Sequence, residues 1–402
     1  MTQNAVLEAI KAFAQELVAV RRDIHMHPKT RFEEVRTAAL VARKLKEWGI
    51  EVEEGVGKTG VVGTLKGRRQ GQRSIGLRAD MDALFMDEAN DFAHRSTVPG
   101  KMHACGHDGH TTMLLGAARY LASDPDFAGT VHFIFQPAEE AGTGAPAMIA
   151  DGLFDRFPCD SVYGLHNSPG LAIGKFATRK GPVLAGSDFW GVTFTGTGGH
   201  GGAAPHLATD ATVVLGHFLL GVQTIVPRNL RPIESAALSV GYVEGGTYLS
   251  PNVMPAKIVV RGTARYFRSE AQAIMRRRLE ELAKTLASAH GCQAECVYDP
   301  LVPPTVNWDE KMDTALAAAS NVVGEANVGD IPLSTGGEDF AFMLAKRPGV
   351  FMRIGNGVNA DGSFHNVHTP HYDFNDEILP LGAAYWASLV QHELGWAGEE
   401  KH

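Results

Sequence analysis

Apolar side chains recur through the first fifty residues at the spacing of amphipathic helices. Val6, Ile10, Phe13, Leu17, Val20 and Ile24 form one stripe interleaved with charge, and Val35, Ala38, Leu45 and Trp48 form a second that stops at Gly49. His25-Met26-His27-Pro28 breaks the two apart. Beyond them the period changes. Ile75 to Ala79, Val131 to Phe135 and Ser161 to Leu165 are short apolar runs separated by helical stretches, which predicts an α/β domain on a mainly parallel sheet. Each run is followed by a polar candidate: Asp80 and Asp82, then Glu139 and Glu140, then His166. Open α/β sheets bind ligands at the carboxyl edge of their strands, so the predicted site lies there.

Near Gly181-Pro182 the pattern shifts again. A strand (Asp188 to Thr195), a helix (Ala208 to Val226), two strands (Ala236 to Val243, Lys257 to Phe267), a helix (Ser269 to His290) and a last strand (Gln293 to Tyr298) give the order β-α-β-β-α-β. A four-stranded antiparallel sheet covered by two helices satisfies that order, so a ferredoxin-like α+β insert is expected. Pro300, Pro303 and Pro304 mark its exit. The expected organisation is a first domain over residues 1–185, an insert over 186–300 and a return to the first domain over 301–402.

Composition narrows the class. With 402 residues and 44% hydrophobic content the chain can bury a large core. The charge within the first stripe argues against a signal peptide, and no run approaches a membrane span. Four cysteines, Cys105, Cys159, Cys292 and Cys296, make a disulfide framework unexpected and a cytoplasmic location the default. A net charge of -8 argues against a nucleic-acid partner, and Arg276-Arg277-Arg278, beside Glu280 and Glu281 in a helical pattern, reads as a solvated face.

The chemistry concentrates in His103-Ala104-Cys105-Gly106-His107-Asp108 and Gln136-Pro137-Ala138-Glu139-Glu140. Cys105 and His107 can give a sulfur and a nitrogen to a divalent cation, and adjacent glutamates let one carboxylate bind metal while the other stays free as a base. Glycine at 106 permits a tight turn, and a helix predicted over Thr112 to Leu121 begins nearby, an end that favours thiolate. His103 and His110 compete with these as ligands or stand behind them as packing groups. Asp80 and Asp82 stay open between ligand and loop-fixing carboxylate and are left outside the ligand set. His25 and His27 read as structural, Cys292 and Cys296 as core thiols.

With these residues in place the chain resembles the M20 metallopeptidase and amidohydrolase family, in the branch of hippurate hydrolases, N-acyl-amino-acid amidohydrolases and plant auxin-conjugate hydrolases. The resemblance covers nearly the whole chain. It rests on Arg21-Arg22-Asp23-Ile24-His25, Leu77-Arg78-Ala79-Asp80-Met81-Asp82-Ala83-Leu84, the Cys105 and Glu139 motifs, Gly198-Gly199-His200-Gly201, Gly336-Gly337-Glu338-Asp339-Phe340 and Tyr372-Asp373-Phe374-Asn375-Asp376. It implies two divalent cations held by Cys105, His107, Glu140, His166 and a C-terminal histidine, with Cys105 bridging and Glu139 as general base. Among His365, His368 and His371, the one just ahead of Pro370 and the Tyr-Asp-Phe-Asn-Asp run, His368, takes the family's place. The mixed sulfur, nitrogen and oxygen set suits zinc, with manganese, cobalt or nickel as alternatives.

The resemblance further implies that the insert is a lid and dimerisation domain, giving a homodimer or dimer-based oligomer. His200 would reach a neighbouring active site to hold the carbonyl oxygen, and Asn252 and Arg265 would bind the substrate carboxylate. The implied reaction is metal-dependent hydrolysis of the amide of an N-acyl amino acid, aroyl acids such as hippurate included. A dipeptidase of the same family and a noncatalytic metal-binding protein are the competing readings. One departure stands out: Phe85-Met86-Asp87 follows Asp82-Ala83-Leu84 where the family continues with proline, which leaves the acyl preference open and predicts a bulky apolar side chain at the acyl pocket.

Overall fold

The apolar runs become the central strands of a mixed sheet. The computed structural model describes residues 5–359 and 361–395 and divides the chain into two units: the larger holds the residues up to Val183, Val306–Pro332 and those from Glu338 onward, and the smaller holds Leu184–Thr305 and Leu333–Gly337. In chain order the larger unit begins with a short helix, Ala5–Lys11, and its main elements are then α1 (Ala14–Met26), α2 (Val35–Glu47), β1 (Glu51–Val56), β2 (Gly60–Lys66), β3 (Arg69–Asp80), α3 (His107–Ser123), β4 (Ala128–Gln136), β5 (Ser161–Pro169) and β6 (Phe176–Thr178). The smaller unit contains β7 (Gly186–Thr195), α4 (Ala211–Val222), β8 (Ala236–Gly245), β9 (Lys257–Tyr266), α5 (Ser269–Ala289) and β10 (Gln293–Val302). The larger unit resumes with α6 (Asp309–Val323), β11 (Val328–Asp330), β12 (Gly349–Gly357) and α7 (Leu379–Leu394).

The large sheet has the order β1-β2-β4-β3-β5-β12-β6-β11. Its four central strands, β4, β3, β5 and β12, run parallel, and β1, β2 and β4 pair antiparallel. Parallel neighbours carry their carboxyl ends to one edge, which is what gathers the polar residues that follow each apolar run. Helix α3 packs against β3, α1 and α7 and is buried over most of its length. Met113, Leu114, Leu115 and Leu121 have almost no exposure, and each such burial contributes about 1.5–3 kcal/mol. The two helices approach closely at Gly382, where a Cβ would stand 1.9 Å from Met113 Sδ.

The smaller unit is a fully antiparallel sheet of order β8-β9-β7-β10 with α4 and α5 packed on it. That is the ferredoxin-like strand order. Helix α5 buries Ala271, Met275, Leu279, Ala283 and Ala287, one residue per turn. Its opposite side carries Arg276, Arg277 and Arg278 in ion pairs with Glu280 and Glu281, the solvated face expected of that cluster.

Several boundaries differ from the sequence expectation: the first helical stripe is divided into Ala5–Lys11 and Ala14–Met26, most strands of the smaller unit run longer, and three further differences have a local cause or bear on the site. Strand β5 runs through His166 to Pro169, so that histidine lies inside the strand and not after it. Helix α3 starts at His107, earlier than the apolar pattern shows, because Gly106 caps it with φ +93°. The helix expected over Ala208 to Val226 is shorter at both ends. Asp210 caps it, accepting the Thr212 N–H at 2.7 Å, and it stops at Val222, where Pro227 has no N–H for the Gln223 carbonyl. Among the described residues no helix is long and apolar enough to cross a membrane.

Candidate metal centre

The site forms where the ends of β3, β4 and β5 meet the start of α3. Gly106 makes that meeting possible, since a Cβ there would lie 2.0 Å from Asn167 Nδ2. The turn presents Cys105 on one side of it and His107 on the other. Cys105 Sγ stands 3.4 Å from His166 Nε2, and the donor atoms of Cys105, His107 and His166 all lie within 4.8 Å of one another. Cys105, Glu140 and His368 form a second such group, and His107, Glu139 and Glu140 a third. The overlapping groups bring Cys105, His107, Glu139, Glu140, His166 and His368 into one cluster. His200, Asn252 and Arg265 lie in the smaller unit.

Neighbouring groups aim the donors. His107 Nδ1 faces the Asp82 carbonyl oxygen at 2.9 Å and Asp82 Oδ1 at 3.2 Å, which leaves Nε2 turned toward Glu139 Oε2 and Glu140 Oε1, each 3.9 Å away. His166 Nδ1 lies 2.7 Å from the Asn167 carbonyl, so a proton there leaves the Nε2 lone pair for the cluster. His107 Nε2 and Glu140 Oε1 are buried without a hydrogen-bond partner. His368 Nε2 lies 3.3 Å from Glu140 Oε1. Unsatisfied buried donor atoms converging with a thiol are the arrangement a divalent cation would satisfy, so the residues present fit the metal that the sequence implies.

The open candidates resolve. Asp80 pairs with Arg78 at 2.7 Å and with His110 Nδ1 at 2.7 Å, while His110 Nε2 accepts the Asn167 N–H at 2.9 Å. Both groups are therefore used elsewhere, although Asp80, His107 and His110 approach one another closely enough for a ligand set. Asp82 orients His107. His103 is buried with neither ring nitrogen bonded, and burial holds it neutral, pushed down to about 3. His25 bridges Asp108 and Glu88, and His27 faces the Asp23 carbonyl, the structural roles expected of both. His365 and His371 are exposed, with ring centroids 5.5 Å apart, and belong to no donor group among the described residues. Phe85 is 64% exposed and lies under the Lys101 ammonium.

Electrostatics separate the two glutamates. Burial, then the charges of Glu338, Glu140 and Asp339, holds the Glu139 carboxyl well above the usual range. Burial also works to raise Glu140, but the contact with His368 and the charge of His107 prevail and lower it. Contacts with Cys105 and Glu140 push His368 up to about 10. Burial lowers His107, and the charges of Asp80 and Cys105 overcome it, leaving it well above the ordinary value. Burial first and Glu140 second push the Cys105 thiol up. Burial thus works against the thiolate-favouring helix end, and ionisation calls for a positive charge at the cluster.

Sequence reasoning missed the network behind Glu139. Arg78 is fully buried and binds Asp80, Glu338 at 2.9 Å, Asp339 at 3.3 Å and Gln136 at 2.9 Å. The Asp339 N–H reaches Glu139 Oε1 at 3.4 Å, fixing the carboxylate. The charged pair inside Gly336-Gly337-Glu338-Asp339-Phe340 was the available signal.

In the smaller unit His200 pairs in register with Val253, next to Asn252, whose carbonyl accepts the Gly201 N–H at 2.8 Å. His200 Nδ1 lies 3.2 Å from the Gly202 N–H and 3.1 Å from that of Ala203. An accepting Nδ1 puts the proton on Nε2, leaving an exposed donor. Arg265 is partly buried on β9, where it donates to the Ala264 carbonyl at 2.9 Å and to Thr263.

Residues 76–392 match the sequence profile of peptidase family M20/M25/M40. The chain is 39% identical to hippurate hydrolase of Campylobacter jejuni over 93% of its own length and 96% of that protein's, and 36% identical to N-acetylcysteine deacetylase of Bacillus subtilis over 95% and 98%. Among solved structures, the YXEP protein of Bacillus subtilis, described as a dinuclear metal-binding peptidase of the M20 family, superposes with a TM-score of 0.83 at 33% identity, covering 94% of this chain and 98% of that one.

Proposed function

The chain belongs to peptidase family M20/M25/M40, and on that premise we propose that it hydrolyses the amide bond of N-acyl amino acids, releasing a carboxylic acid and an amino acid. Hippurate and N-acetylcysteine, the substrates in its relatives' names, are both of this class. The observation that carries the reading is the division of labour between adjacent carboxylates. Both carboxylates stand in the donor cluster, but Glu140, 3.3 Å from His368, is lowered, while Glu139, held by the Asp339 N–H, keeps a raised proton affinity.

Cys105, His107, Glu140, His166 and His368 would hold two divalent cations, zinc or manganese by donor type. When bound, such ions act as Lewis acids and bring the pKa of a water down toward ~7. Glu139 Oε2 takes the proton of the attacking water and passes it to the leaving nitrogen; a carboxyl held above its ordinary range is suited to both steps. The Nε2 proton of His200, from a neighbouring subunit, donates to the oxygen of the tetrahedral intermediate, a contact whose loss typically costs ~3 kcal/mol in the barrier. Arg265 and Asn252 hold the α-carboxylate, for which a planar guanidinium is the matching partner. The smaller unit is thus read as lid and dimerisation domain, and the protein as a cytoplasmic homodimer.

The test pairs Glu139→Gln with Glu140→Gln. The first should abolish turnover of an N-acyl amino acid panel with metal content nearly intact, and the second should lose metal. Equal metal loss in both would sink the assignment.

A further inference from the structure

Two arginines near the cluster meet carboxylates, and a third does not. Arg21 and Arg78 are fully buried; Arg21 pairs with Asp373 at 2.6 Å and Asp376 at 2.9 Å, and Arg78 with Asp80, Glu338 and Asp339. Arg353 lies in the apolar run Val350-Phe351-Met352-Arg353-Ile354 of β12, partly buried, with the Phe351 ring 5.0 Å from its guanidinium carbon. Among the described residues no carboxylate lies within 4.0 Å of its guanidinium nitrogens, and its polar contacts are two, both from one nitrogen: the Asn167 carbonyl at 3.3 Å and His166 Nδ1 at 2.8 Å.

Those two contacts compete. If His166 Nδ1 carries its proton toward the Asn167 carbonyl, it has no lone pair for Arg353; if it accepts from Arg353, its proton moves to Nε2 and blocks the atom facing Cys105. A donor cluster with a usable His166 therefore leaves Arg353 one carbonyl for five N–H groups. The negative groups that act on it from farther off are Glu338, Cys105, Glu139 and Asp80. Glu338 and Asp80 are bound to Arg78, and Cys105 and Glu139 belong to the cluster. A guanidinium in this setting lacks the carboxylate that normally accompanies such burial.

Strands β12 and β5 run parallel with Arg353 in register with His166, and one guanidinium nitrogen stands 2.8 Å from His166 Nδ1, so the guanidinium without a carboxylate partner lies directly beside a donor residue. We infer that Arg353 is an anion subsite beside the donor cluster, taking a carboxylate that the substrate carries in addition to its α-carboxylate. This rests on the N-acyl amino acid reading. The second carboxylate belongs either to a dicarboxylic acyl group or to an acidic amino-acid side chain; both offer two oxygens to a planar fork.

The experiment uses two matched pairs, N-acetyl-glutamate with N-acetyl-glutamine, and N-succinyl-leucine with its terminal amide, on the wild type and Arg353→Met. The acid-to-amide ratio of kcat/KM should fall at least about tenfold in Arg353→Met for the pair whose acid reaches the subsite, and which pair responds identifies the source. Ratios within about twofold of wild type in both pairs would overturn the inference. Calorimetric titration of succinate and succinamate into the metal-loaded wild type and Arg353→Met gives a second readout: the wild type should prefer the diacid at least about tenfold more than the variant does. Equal preference counts against the subsite even if the wild type hydrolyses none of the four compounds, an outcome that would instead refute the proposed function. Methionine keeps the aliphatic stem and gives up the contacts with the Asn167 carbonyl and the Phe351 ring, so Arg353→Met should melt within a few degrees of wild type; a marked loss would make Arg353 a structural residue.

Discussion

His25 offers a test of the charged layer behind the donor cluster. It is fully buried, with Nδ1 2.8 Å from Asp108 Oδ2 and Nε2 3.2 Å from Glu88 Oε1. Burial opposes its protonation and Arg21 repels it, yet the hydrogen bonds to Asp108 and Glu88 prevail and push it from 6.5 up to about 9. Because the folded value is raised, the stabilisation is fully present below the unfolded value and is lost as pH rises through the folded one. Each tenfold change in the proton equilibrium is about 1.4 kcal/mol, so the window from 6.5 to about 9 holds on the order of 3 kcal/mol. The perturbation is His25→Gln, compared with wild type in metal-stripped protein between about pH 6 and pH 10. Hydrogen exchange in α1 and α3 is the assay, because it reports the local opening free energy without assuming that both units unfold together. The destabilisation caused by the substitution should be largest near pH 6 and should shrink by roughly 3 kcal/mol at the alkaline end. Parallel pH profiles for the two proteins would show that His25 is neutral in the fold and refute the reasoning.

Cys105→Ser should weaken metal binding at least about tenfold and shift preference toward harder ions, since a thiol ionises near ~8.5 and a serine hydroxyl does not; unchanged affinity and stoichiometry would make Cys105 a core thiol. Coexpressed Glu139→Gln and His200→Ala chains, each inactive alone, should regain up to about half the wild-type activity per mixed dimer, because one composite site is then intact. No recovery in a purified heterodimer would place His200 within its own chain's site or outside the reaction.

The parallel core was legible because buried central strands read as continuous apolar runs, and the polar residue at the end of each run marked the site edge. Cys105, His107, Glu139 and Glu140 were legible for a similar reason: one turn and one strand end place them locally. His368 was legible only through the family resemblance and its place ahead of Pro370, since its residue chemistry is that of His365 and His371. Its backbone sits at φ +61°, with its N–H bonded to the Ala104 carbonyl at 2.7 Å, a long-range contact that no local pattern encodes. The roles of Asp80 and His110 were hidden in the same way, because they depend on Arg78 and on the Asn167 N–H. Arg353 was masked by the apolar run around it, which reads as strand whatever its fourth residue does.

The larger unit is interrupted in sequence, and this orders events during synthesis. All strands of the smaller unit are made before β12 and α7, so that sheet can close while β5 has β3 but still lacks β12 on its other side and α3 lacks α7, one of the helices packed on it. An open parallel edge beside a partly covered apolar helix is the kind of intermediate that aggregates or engages chaperones. The donor cluster waits as well, since His368 is supplied by the last segment, and a nascent chain that meets metal earlier can offer it only part of the site.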